Sequence, residues 1–222
     1  MKTVLVTGIN RGIGSEIAKL LLEKGYRVIG LIRGNFTESI KKNKNLKIYS
    51  IDLGDSNNLE KLVFEIIDST GHTIDFVINN AATMKDSQLL DLNFNDFKLS
   101  LNVNITAPYI ISSIFAKEML KNGKGRIINI SSEWGSFDKG LQGPPLYSIS
   151  KAALNALTVS LSKEIFGEVE ICSFCPGWVK TEMGGPDAPD LPRDAALEVI
   201  SLLETKDRVN GYFFQHGRKL NW

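Results

Sequence analysis

Six short apolar runs rich in β-branched residues, at 3 to 7, 27 to 32, 46 to 51, 74 to 79, 126 to 131 and 168 to 175, alternate with longer segments of helical periodicity. Turn residues mark each transition, and this alternation predicts βαβ units around a parallel sheet. Between Gly12 and Lys24 the residues Ile13, Ile17, Leu20 and Leu21 recur on one face, as Leu59, Leu62, Val63, Ile66 and Ile67 do farther on. Both faces suit packing on a sheet. Two longer helical stretches, roughly 93 to 121 and 146 to 166, carry more apolar residues than one buried face requires, which predicts a subunit interface. Residues 181 to 193 hold Gly184, Gly185, Pro186, Pro189 and Pro192 and read as a strand-to-helix loop. This loop is short for a substrate cover and predicts an open pocket. No repeat or linker interrupts the chain, so one domain over residues 1 to 222 is expected.

Charge narrows the partners. Twenty-six basic residues face 25 acidic ones, a formal net charge of +1. Such a balance gives no field to hold nucleic acid or anionic lipid, and leaves small molecules or like subunits. The opening Met1-Lys2-Thr3-Val4-Leu5-Val6 reads as a strand rather than a leader, no apolar run is expected to reach membrane length, and a cytosolic location follows. The two cysteines form a C-x-x-C, Cys172 and Cys175, inside an apolar run that ends at Pro176-Gly177. Residues three apart face opposite sides of a strand, so two buried thiols are expected rather than a redox pair. The histidines, His72 and His216, lie far apart, and no metal site is expected.

The first strand runs into Thr7-Gly8-Ile9-Asn10-Arg11-Gly12-Ile13-Gly14, after which a helix begins. Glycines here permit a tight turn and close approach of the backbone to a pyrophosphate, while the helix N-terminus presents unpaired N–H groups to the anion. Ile13 after the second glycine excludes a P-loop, which needs Lys and Ser/Thr. A glycine-rich turn alone is also a common ligand-free connection.

This turn resembles the T-G-x-x-x-G-x-G fingerprint of short-chain dehydrogenases/reductases, and further landmarks follow in that family's order. Asp52 and Leu53 resemble the residues beside the adenine. Asn79-Asn80-Ala81-Ala82 stands where the family has N-N-A-G, with Ala82 departing from the glycine. Gly125 to Ser132 resembles the strand whose second serine holds the substrate oxygen, which points to Ser132 with Ser131 as a rival; the stretch from Ser132 to Tyr147 is about two residues longer than usual. Asn104 matches the helical asparagine that supports a relay water, with Asn102 as the neighbouring alternative. Pro176, Gly177, Val179 and Thr181 match the turn beside the nicotinamide. Gly211 to Trp222 resembles the seventh strand and ending of carbonyl-reductase-like and C-factor-like members.

Tyr147 and Lys151 stand at i and i+4 on one helical face, a pair that alone occurs by chance in many proteins. In this company it gains a chemical purpose. A free tyrosine titrates near about 10, and an ammonium together with an oxidised nicotinamide favours the phenolate. Tyr147 then exchanges a proton with the substrate oxygen.

The resemblance implies a single doubly wound Rossmann domain with a mostly parallel, about seven-stranded sheet. It implies hydride transfer between a nicotinamide and a carbonyl or alcohol, with Asn104, Ser132, Tyr147 and Lys151 as catalytic residues. The cofactor would rest on Gly8, Asn10, Arg11, Gly12, Ile13, Gly14, Asn80 and Ala81, besides Tyr147 and Lys151. Ile32 occupies the position where NAD-preferring relatives carry an acid, and Arg33 follows it, so Arg33 and Arg11 converging on the adenosine ribose would select NADP(H). A homodimer or homotetramer is expected. A cofactor-binding sensor with little turnover is the alternative function.

Overall fold

The computed structural model describes residues 1–36 and 39–222. The strands are β1 (Thr3–Thr7), β2 (Arg27–Ile32), β3 (Leu46–Ser50), β4 (Phe76–Asn79), β5 (Lys124–Ile130), β6 (Glu168–Phe174), β7 (Phe213–Gln215) and β8 (Arg218–Leu220). The helices are α1 (Gly12–Glu23), α2 (Ser56–Ser69), α3 (Phe94–Leu101), α4 (Ala107–Asn122), α5 (Pro145–Ser162) and α6 (Pro192–Glu204). Among the described residues the strands form one sheet in the order β3-β2-β1-β4-β5-β6-β7-β8. All pairings are parallel except β7 with β8. This is a Rossmann-like α/β domain whose chain order reverses between β1 and β4, where a crevice opens at the carboxyl ends of the strands.

Strand alternation divides the core in two. Val4, Val6, Ile128, Ile130, Cys172 and Phe174 pack under α1 and α6, whereas Leu5, Ile127 and Ile171 pack under α2, α4 and α5. Both cysteines are buried free thiols.

Eight strands form where about seven were expected, because the C-terminal segment folds back on itself. His216 and Gly217 both hold positive φ, 47° and 69°, between the paired Gln215 and Arg218. Two positive φ values make a two-residue turn whose twist suits a hairpin.

The long helical stretch also differs in detail. A π-helical turn over Asn102–Thr106 joins α3 to α4. Pro108 lacks the N–H that would reach the carbonyl of Asn104 four residues earlier, which favours this irregularity. Taken as one helix, Phe94–Asn122 spans 29 residues and by length and composition is apolar enough to cross a membrane, contrary to the expectation that no run reaches that length. Half of its apolar window is buried within the protein, and Ile111, Phe115 and Met119 pack on the sheet.

A buried polar chain ties the helices to the strands that carry the crevice. Asn79 Nδ2 donates to Ser112 Oγ at 2.9 Å and to Asn129 Oδ1 at 2.7 Å, and Asn129 Nδ2 donates to Thr158 Oγ1 at 2.9 Å. Ser173 Oγ lies 3.0 Å from Thr158 Oγ1. Asn129 thus links β4 and β5 to α5. Asn129→Ala leaves two buried partners short and should cost roughly 2–4 kcal/mol; urea unfolding measures it, and a midpoint equal to the parent's would contradict the linkage.

Candidate active site

Three glycines shape the turn after β1. Gly8 and Gly12 hold φ of 73° and 58°, and a Cβ on Gly14 would lie 2.1 Å from the Gly8 carbonyl oxygen and 2.4 Å from Asn80 Nδ2. Only glycine fits at position 14. The first turn of α1 holds no acidic residue, and Arg11 at its N-cap makes no side-chain cap. Backbone N–H groups and the positive end of the helix therefore face the crevice without a protein anion. Thr7 Oγ1 accepts the N–H groups of Asn80 and Ala81, both at 2.9 Å, and locks β4 to the turn. Asn80 Nδ2 donates to the carbonyls of Thr7 and Gly8 at 2.9 and 3.2 Å. The Asn80 side chain braces the cradle from within.

On the far side of the crevice, α5 presents Tyr147 and Lys151, both buried, with Lys151 Nζ 5.4 Å from the centre of the Tyr147 ring. Lys151 Nζ donates to the Ile130 carbonyl at the end of β5 at 2.7 Å. The two serines that follow part ways. Ser131 is buried and donates to Asn155 Oδ1 at 2.6 Å, while Ser132 is half-buried and its Oγ accepts the N–H of Trp134 at 3.2 Å. The Ser132 hydroxyl thus keeps its own proton for another acceptor. A Cβ on Gly135 would fall 2.5 Å from the Lys151 carbonyl carbon, so the turn carrying Ser132 rests directly on α5.

Asn104 sits in the π turn, buried, with Oδ1 accepting from Thr83 N and Nδ2 donating to Thr83 O and Ser150 Oγ, at 2.8, 2.8 and 2.9 Å. Ser150 Oγ donates in turn to the carbonyl of Tyr147 at 2.7 Å. Asn102 turns elsewhere, donating to the Gly54 carbonyl at 3.2 Å on the Asp52-Leu53 loop. Asp52 accepts from Gly54 N at 2.8 Å. The last wall is the segment after β6, where Gly177 has φ of 78° and Thr181 Oγ1 accepts from Gly184 N at 3.1 Å. Arg33 is exposed at the end of β2. Arg11 forms an ion pair with Glu182.

A family model described as short chain dehydrogenase matches residues 2–191. The chain belongs to the short-chain dehydrogenase family. It is similar to the carbonyl reductase Sniffer of D. melanogaster, with 29% identity and a TM-score of 0.89 over 100% of both chains. A carbonyl reductase from chicken fatty liver, solved with NADPH bound, gives 26% identity and a TM-score of 0.88 over 100% of this chain and 99% of that one. A 3-oxoacyl-[acyl-carrier-protein] reductase of Vibrio harveyi is 33% identical over 82% of this chain and 75% of its own length.

Burial governs the electrostatics of this short-chain dehydrogenase. It pushes the Tyr147 phenol up, and Cys175 beside it adds to the shift. Without a cofactor desolvation dominates, and the phenol keeps its proton. Burial also lowers the Lys151 ammonium to about 8, against the opposing effect of Cys175. The Cys175 thiol is itself pushed up to about 11 by burial, and its Sγ accepts from Glu133 N and Gln215 Nε2, both at 3.3 Å.

Sequence reasoning missed Cys175, Trp134 and Gly135 as neighbours of the pair. Trp134 meets Tyr147 edge to face with ring centres 6.2 Å apart. The cysteine adjoins the P-G-x-x-x-T motif and was open to notice; nothing local in the sequence marks the other two.

Below about 8 Lys151 is cationic, and above it the group turns neutral. Affinity for an anionic dinucleotide should therefore fall as pH rises through about 8 in the parent and stay flat there in Lys151→Ala. Titrations at several pH values check this, and a parent affinity that ignores pH would contradict it.

Proposed function

We propose that the protein is an NADPH-dependent reductase of small-molecule carbonyl compounds in the cytosol, with Tyr147 as the proton donor. The observation that carries this reading is the buried Tyr147 phenol, held neutral on the same helical face as Lys151 and reached by the turn that presents Ser132.

The cradle fits a dinucleotide, since the space at Gly14 is already taken up by backbone and the first turn of α1 holds no acidic residue and no side-chain cap. Gly8, Asn10, Gly12, Ile13 and Gly14 would surround the pyrophosphate, with Asn80 bracing them and Ala81 alongside. Asp52 and Leu53 would lie at the adenine, and Pro176, Gly177, Val179 and Thr181 at the nicotinamide. When bound, the nicotinamide supplies hydride to the carbonyl carbon. Ser132 donates its hydroxyl proton in a hydrogen bond to the substrate oxygen and steadies the charge that develops there. Tyr147 transfers its phenolic proton to the same oxygen. Lys151 favours release of that proton by its charge, and Asn104 fixes the backbone at Thr83 and, through Ser150, the start of α5.

A relative of the same fold is solved with NADH, so cofactor choice rests on local charge rather than on the fold. At the end of β2 stands Ile32, buried, where a carboxylate would repel a 2′-phosphate, and the exposed Arg33 follows it. Arg33 and Arg11 are the guanidinium groups assigned to that phosphate.

Tyr147→Phe removes only the transferable proton and should lower kcat about a hundredfold to ten-thousandfold while NADPH still binds. Loss of NADPH absorbance over a panel of aldehydes, ketones and quinones measures this, and a parental rate in the variant would sink the role.

We also propose a homo-oligomer formed through α4 and α5. Tyr109 on α4 and Phe166 just past α5 are 54% and 73% exposed, and a groove lined by Ala116, Leu120, Leu157 and Ile165 runs between the helices. Light scattering at micromolar concentration should give a dimer or tetramer; a monomer would leave these residues without a partner.

A further inference from the structure

Two loops far apart in sequence meet over the crevice. The contact between them has two parts. A Cβ on Gly12 would lie 3.2 Å from Thr181 Cγ2, so the Thr181 side chain closes over the cradle at Gly12. Beside that contact, Arg11 reaches out of the cradle and pairs with Glu182. The recorded contact joins one guanidinium nitrogen, Nη1, to one carboxylate oxygen, Oε2.

Glu182 is held in place by its neighbours. Gly184 N donates to Thr181 Oγ1 at 3.1 Å, Gly185 N donates to the Thr181 carbonyl at 2.9 Å, and Trp178 Nε1 donates to the Gly184 carbonyl at 2.7 Å. A second staple, from Lys180 N to the Asp190 carbonyl at 2.8 Å, closes the base of the segment. The backbone that carries Glu182 is therefore held in a turn beside Arg11.

We infer that Glu182 is a built-in competitor for the 2′-phosphate of the cofactor, occupying Arg11 until that phosphate displaces it. The inference rests on the assignment of Arg11 to the 2′-phosphate. The Arg11 and Glu182 side chains are 64% and 71% exposed, so their pair is weak and parts without stranding a buried charge. A phosphate monoester carries about −1.5 to −2 charge and accepts a guanidinium through two parallel hydrogen bonds, so it outcompetes a single-contact carboxylate. NADH has no such phosphate and leaves the pair intact. The cost of breaking it falls on NADPH alone, which makes Glu182 a specificity-determining residue that weakens the preference Arg11 and Arg33 create.

The test is a double-mutant cycle on the full chain, reading Kd for NADPH and for NADH at low and at high salt. Glu182→Gln keeps the size and turn of the side chain and removes its charge. It should tighten NADPH by about 1.5-fold to fivefold at low salt, with a smaller gain at high salt and a smaller change for NADH. In an Arg11→Ala background the same substitution should leave NADPH nearly unaffected. Should Arg11→Ala weaken both cofactors equally, the assignment of Arg11 to the 2′-phosphate is wrong and the competitor falls with it. Should Arg11→Ala weaken NADPH selectively while Glu182→Gln gives no gain, or the same gain with and without Arg11, that assignment stands and competition by Glu182 is overturned.

Discussion

The hydrogen bond from Lys151 Nζ to the Ile130 carbonyl, 2.7 Å long and buried, holds the active side of this molecule together. An ammonium taken out of water needs a partner, and here the partner is the last carbonyl of β5. That bond fixes α5 against the strand whose next residues are Ser131 and Ser132. Gly135 lets the following turn lie on the backbone of Lys151, where any Cβ would collide. Tyr147, one helical turn before the lysine, meets the Trp134 ring of that turn edge to face. One buried lysine ties the helix to the strand end, and the turn rests on its backbone.

The same burial decides the protonation states. Desolvation keeps the Tyr147 phenol protonated and brings the Lys151 ammonium down to about 8. The Cys175 thiol, held neutral near neutral pH by burial, accepts the N–H groups of Glu133 and the Gln215 side chain.

Local patterns made much of this legible. The apolar runs and the glycine turn sit where period and turn chemistry place strands and the β1-to-α1 cradle, because each depends on residues close in sequence. Pro108 carried a readable sign of the π turn at Asn102–Thr106, since it withholds one N–H from the helix ladder. Contacts across long separations left no such trace. Asn79 and Asn129 read as ordinary strand residues until β4 and β5 lie side by side and join them at 2.7 Å. Arg11 and Glu182 are 171 residues apart, and nothing near either one announces the other. The hydrogen bond between Ser131 and Asn155 of α5 likewise joins residues 24 apart in sequence.

The central claim is that the residues around Tyr147 carry a proton to a substrate whose carbon receives hydride from a bound nicotinamide. Deuterium placed at C4 of the nicotinamide of NADPH tests it most directly, with the product examined by NMR after incubation with aldehydes, ketones and quinones. For an aldehyde or ketone substrate the account predicts deuterium on the former carbonyl carbon of the product alcohol, formed by the parent and almost absent with Tyr147→Phe. Tight binding of NADPH with no deuterium transferred to any compound of the panel would contradict it.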